Sequence, residues 1–178
     1  MMNTFDAWRA WYAAQGLSTS SLCPVSEEDV GHAERRLGIV FPPSYRSYLL
    51  SIGHFVLPIH WGEEEMLPID EVAWFREQNG EWIKQYEDRM QDRNGELPED
   101  SGNEWPISHL RSTLQISSSD KVVFLLDTKS RDHDSGEMKA WLFANYIPGA
   151  IVYDSFSDIF VKCQAEVAAQ GEIEAAKF

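Results

Sequence analysis

A chain of 178 residues with 29 acidic and 15 basic side chains carries a formal charge of −14. Its field repels phosphate backbones and anionic lipid, which argues against a nucleic acid or a membrane surface as partner and favours a basic protein. The 43% hydrophobic content, with seven Trp, supplies enough apolar surface to outweigh chain entropy, so wholesale disorder is excluded and a single domain with one core is expected.

Met1-Met2-Asn3-Thr4-Phe5-Asp6 has neither a basic n-region nor an apolar h-region, and no stretch approaches the ~20 apolar residues that span a bilayer. A cytoplasmic protein is expected. Cys23 and Cys163 are too few for a disulfide framework or a structural zinc site and read as free thiols.

Thr4 is placed to cap a helix carrying Phe5, Trp8, Trp11 and Tyr12, with Gly16 as its stop. Ser26-Glu27-Glu28-Asp29 predicts a second N-terminus, a cap followed by carboxylates where the helix dipole favours them, with Val30, Ala33 and Leu37 as the buried stripe and Gly38 as the end. Ile39 and Phe41 cross in extended form. Pro42-Pro43 then starts a third helix with Tyr45, Tyr48, Leu49 and Ile52 at i, i+3, i+4 and i+7, closed by Gly53. Residues 55–61 predict a strand ending near Gly62, confined to an edge or bulge by Pro58. Asp70 is placed to cap a further helix with Val72, Phe75, Trp82 and Tyr86, which Asn79-Gly80 weakens or splits. Residues 91–106 read as a polar surface loop. Residues 121–127 and 138–143 predict a central hairpin with a charged turn at 132–136, followed by a short strand at 151–153. Ser155 caps a final helix with Phe156, Ile159, Phe160, Cys163 and Val167 on one face. Helices, then strands, then a closing helix imply an α+β fold, a largely antiparallel sheet packed against N-terminal and C-terminal helices.

The charge is concentrated. Residues 63–104 hold fourteen carboxylates against four cations, so ten of the fourteen net negative charges lie in this one segment. One reading is a solvated face that keeps the protein soluble. The other is a docking surface for a cationic partner, in which carboxylates steer the encounter and interleaved Trp61, Trp74, Trp82 and Trp105 provide anchors. Trp at helical spacing also suits a core, and Trp74 and Trp82 are expected inside.

The capped acidic helix ending in Leu37-Gly38, then Phe41-Pro42-Pro43-Ser44-Tyr45, Leu49 and Gly53, resembles the SUKH superfamily, which includes fungal Smi/Knr cell-wall regulators and many bacterial immunity proteins. The strand ending at Asp127, the Trp141 strand and the helix opening Ser155-Phe156-Ser157-Asp158-Ile159-Phe160 follow in the same order. On this resemblance, residues 1–25 form an N-terminal helix and connection, 26–170 the SUKH domain and 171–178 a tail. Ile52-Gly53 departs from the Asn-Gly often found there, and 91–106 reads as an insertion of the kind that carries variable contacts. Pro42, Pro43, Tyr45, Leu49, Gly53 and Phe156 all have structural roles, so they indicate neither an active site nor a cofactor.

The resemblance implies a non-enzymatic binding module. Bacterial members typically bind a secreted polymorphic toxin, often a nuclease or deaminase. A dense carboxylate surface fits a basic cleft of that kind by standing in for phosphate charge. The expected partner surface comprises Trp61, Glu63, Glu64 and Glu65, with Glu77 and Glu81 one helical turn apart. The alternative partner is an endogenous one, bound by an intracellular regulatory scaffold like the fungal members.

An enzyme reading has little to stand on. The histidines His32, His54, His60, His109 and His133 show no His-x-x-x-His spacing, and neither a nucleophile elbow nor a phosphate-binding glycine loop occurs. Asp127, Asp132, His133 and Asp134 are either a polar turn or the ligands of a divalent cation in a metal-assisted hydrolase.

Overall fold

The computed structural model describes residues 4–14, 22–54, 56–59, 62–92, 107–118, 121–144, 149–162 and 165. Helix α1 (Thr4–Ala14) buries Phe5, and Thr4 is its first helical residue rather than its cap. Gly16, Phe55, His60, Cys163, Val167 and the side chains of Trp8, Trp11 and Tyr12 lie outside the described parts.

Helix α2 (Glu27–Leu37) begins as its sequence dictates. The Asp29 N–H donates to Ser26 Oγ at 3.1 Å, and the Ser26 N–H and hydroxyl donate back to the Asp29 carboxylate at 3.2 and 2.6 Å. The bonds from Ser26 hold the Asp29 carboxyl below the usual carboxylate range. Val30, Ala33 and Leu37 are buried, and Gly38 ends the helix at φ +68°.

Helix α3 (Pro43–Ser51) starts with no side-chain cap of its own, because Pro42 occupies that position. The cap comes from 93 residues away, where Glu137 accepts the Ser44 N–H at 2.8 Å and the Ser44 hydroxyl at 2.7 Å. A carboxylate there satisfies orphan donors and meets the positive end of the helix dipole. Arg131 ties the same loop down by donating to the Val40 carbonyl. Glu137→Ala is expected to lower stability by about 1–2 kcal/mol. Urea denaturation checks this, and an unchanged midpoint would exclude the distal cap as a stabilising contact.

The chain then departs from expectation. Strand β1 (Val56–Ile59) ends at Ile59, and Gly62 opens a second strand, β2 (Gly62–Met66), antiparallel to it with Glu64 opposite Leu57. Pro58 does sit on an edge, since β1 is the outer strand of a three-stranded sheet. Asp70 lies in a turn at 69–71 and caps no helix; strand β3 (Ala73–Trp74) follows, because those residues pair with Gln115 and Leu114. Asn79 separates α4 (Phe75–Gln78) from α5 (Gly80–Asp92), so the expected helix is split, and residues 91 and 92 are helical rather than loop. A 3-10 helix (Ile107–Ser112) leads to strands β4 (Thr113–Gln115) and β5 (Ser117–Ser118), which polar sequence concealed.

Strands β6 (Val122–Asp127) and β7 (Ala140–Ala144) form the expected hairpin, and β8 (Ala150–Tyr153) pairs with β7. The large sheet is antiparallel in the order β3-β4-β6-β7-β8. At Ile116 the strand leaves it: β5 pairs instead with β2, completing the small sheet β1-β2-β5. The crossing point is held by side-chain mimicry of a ladder, with the Phe124 N–H donating to Ser117 Oγ at 2.7 Å.

Period-two alternation now sorts the apolar residues. Val122, Phe124, Leu126, Ala140 and Leu142 face α1, α2, α3 and the C-terminal helix α6 (156–162), whose Phe156, Ile159 and Phe160 are buried. Val123, Leu125, Trp141 and Phe143 face α4, α5 and the 3-10 helix, meeting Phe75, Ile83, Tyr86 and Leu110. The single expected core is therefore two, one on each face of a sheet covered on both sides. Tyr45 and Tyr48 stack in the first, with ring centroids 5.9 Å apart. Burial raises the pKa of both phenols, since the charged form would lose its water.

Candidate partner-binding surface

The fold divides the acidic segment. Glu63, Glu64 and Glu65 lie on β2 in the small sheet, whose Met66 joins the first core, whereas Glu77 and Glu81 lie on α4 and α5, which cover the second. Glu77 and Glu81 are not one turn apart on one helix, because Asn79 interrupts it. Both are exposed. Trp61 and Trp105 lie outside the described residues, as do the side chains of Glu63 and Glu64. Glu65 is exposed, 3.4 Å from His54 Nε2, while the His54 Nδ1–H donates to the Met66 carbonyl at 2.8 Å.

The α4–α5 layer shows how a carboxylate surface is built. Ile83 and Tyr86 point into the second core, which turns Glu81, Lys84, Gln85 and Asp88 to solvent. Asp70 and Glu71 are exposed in the turn before β3. None of Asp70, Glu71, Glu77, Glu81 and Asp88 forms an ion pair with another described residue. Arg111, from the 3-10 helix, is instead held in a two-point pair with Glu87, at 2.8 and 2.7 Å, which keeps its guanidinium charged still more firmly. Arg76 lies over the Trp74 ring, 4.4 Å from its centroid, and donates to the Arg111 carbonyl at 2.8 Å.

Asn79 fixes the junction between the two helices. Its amide donates to Gln115 Oε1 at 2.7 Å, and Gln115 Nε2 donates to the Ser117 carbonyl at 2.8 Å. Neither the Arg76–Arg111–Glu87 chain of contacts nor the Asn79–Gln115 bond has a signature in residue order. Only Asn79-Gly80 carried a local signal, that of a helix break. Trp74 and Trp82 are half-buried, each with one side packed on a core.

The turn weighed as a metal site resolves differently. Asp132 Oδ1 accepts the N–H groups of Asp134 and Ser135, at 3.2 and 2.7 Å, and the Ser135 hydroxyl at 2.7 Å. These bonds, led by Ser135, hold its carboxyl below the usual range. Asp127 does not join it: buried at 1% exposure, it accepts from His109 Nδ1–H at 2.8 Å and from the Lys129 N–H at 3.0 Å. Among the described residues no three His, Cys, Asp or Glu side chains gather as metal ligands, and no helix is long and apolar enough to cross a membrane.

Comparison with curated proteins finds no match. A family model does match, over residues 24–162, from just before the α2 cap to the last described turn of α6. With its capped acidic helix, proline-started third helix, central hairpin and closing Phe156 helix all inside the matched span, the chain belongs to the SMI1 / KNR4 family (SUKH-1).

Proposed function

We propose that this protein is an immunity protein, a cytoplasmic binder that neutralises a cognate bacterial polymorphic toxin by stoichiometric contact rather than by catalysis. The toxin is a basic nuclease or deaminase domain. The observation that carries this reading is the exposed, unpaired run Asp70, Glu71, Glu77, Glu81 and Asp88 on the α4–α5 layer and the turn before β3, which outnumbers the solvent-facing Lys84 and Arg89 there, while Arg76 and Arg111 are held in contacts within the fold. Family membership supports a binding role, and the net charge selects a cationic partner. Glu65, with Glu63 and Glu64 on the same strand, supplies a second acidic contact beside it in sequence but on the other sheet.

The test uses the toxin domain encoded beside this gene, co-expressed with the wild-type protein and with a variant carrying Glu65→Lys, Glu77→Lys and Glu81→Lys. Wild type protects. The variant is expected to associate about tenfold more slowly or worse at low salt, with the gap closing as salt rises. An absent toxin gene, or equal protection by the two proteins, overturns the electrostatic immunity reading and favours the regulatory scaffold.

A further inference from the structure

Trp74 sits on β3, the outer strand of the large sheet, where no further described strand covers its flank. One side of it packs on the first core, and the guanidinium of Arg76 lies on its ring. Arg76 is itself held by its bond to the Arg111 carbonyl, and Arg111 by the two-point pair with Glu87. A Trp and an Arg are thus pinned in place at the protein surface before anything binds, within a segment flanked by exposed Asp70, Glu71 and Glu77.

That combination has a physical meaning. Side chains already ordered in the free protein lose little entropy on association, and Trp and Arg ringed by charged residues are the composition of an interface hot spot. We propose that the Trp74–Arg76 pair is the fixed anchor of the partner contact, an inference that rests on the immunity reading. The occupant is a basic protein surface bearing an apolar recess for the exposed edge of Trp74, bordered by a carboxylate or carbonyl that accepts from Arg76. Carboxylates at 70, 71, 77 and 81 steer the encounter. The anchor sets how long the complex lasts, and the fixed cation at Arg76 rejects registers that would place a partner Lys or Arg against it.

Association and dissociation rates of the purified toxin domain separate these roles. Trp74→Ala is expected to raise the dissociation rate about 30-fold and Arg76→Ala about tenfold, with association rates and salt dependence nearly unchanged. Arg76 is exposed, so its variant keeps the fold, and a melting curve on each variant identifies any unfolding of Trp74→Ala. Dissociation rates at wild-type values in Arg76→Ala overturn the anchor while leaving the immunity reading standing. A wild-type protein that fails to bind the toxin domain overturns both.

Discussion

Gly53→Ala is expected to lower folding stability by about 3–5 kcal/mol, enough to leave much of the protein unfolded at growth temperature. Gly53 sits at φ +72°, where an L side chain is strained, and a Cβ built there falls 1.8 Å from the Cys23 carbonyl oxygen. That carbonyl belongs to the bridge joining Cys23 to Gly53 and His54, so relieving the clash means pulling the 22–25 segment off the end of α3. Gly38→Ala provides the comparison. Its φ is +68° and nothing lies within 4 Å of the added carbon, so only the backbone strain applies, about 1 kcal/mol. Urea titrations of the two variants should differ severalfold in destabilisation; equal losses would mean that the close approach at Cys23 carries no weight.

Phe156→Ala is expected to cost about 3–5 kcal/mol as well, by a different route. Phe156 is fully buried, with the rings of Tyr45 and Tyr48 each 5.0 Å away, Phe160 at 5.3 Å and Phe5 at 6.1 Å. Those rings come from α1, α3 and α6, so the deletion leaves a hole among three separate helices and forfeits several edge-to-face contacts. Val161, also on α6, is 54% exposed, and Val161→Ala should move the midpoint hardly at all. A near-normal midpoint for Phe156→Ala would mean that the three helices close over the gap.

What could be read from residue order, and what could not, follows from how local each determinant is. The α2 cap needs only Ser26 and Asp29, and the α3 stripe only the spacing of Tyr45, Tyr48, Leu49 and Ile52; both were legible and both are present. Strand β2 was not. Gly62-Glu63-Glu64-Glu65-Met66 has no apolar alternation, and its extended form is imposed by β1 on one side and β5 on the other. Residues 113–118 are short and polar for the same reason, their shape being set by Phe124, Leu126 and Met66 across from them. The second core was hidden inside Val122-Val123-Phe124-Leu125-Leu126, since an uninterrupted apolar run does not reveal that its residues serve two faces. The carboxylates of the candidate surface were visible as composition. Their division between the small sheet and the α4–α5 layer was not, because it depends on where β2 pairs.

The two cores also differ in how much of the chain each draws on. Every described residue of the core under α4 and α5 lies between Phe75 and Val152, so those parts come from that stretch alone. The other draws on described residues from Phe5 to Phe160. Without residues 156–160 the rings of Phe5, Tyr45 and Tyr48 lack Phe156, and α1, α2 and α3 have no closing helix to pack on. A released chain that ends before residue 156 therefore carries one layer beside an open aromatic one, a surface suited to chaperone capture and to degradation.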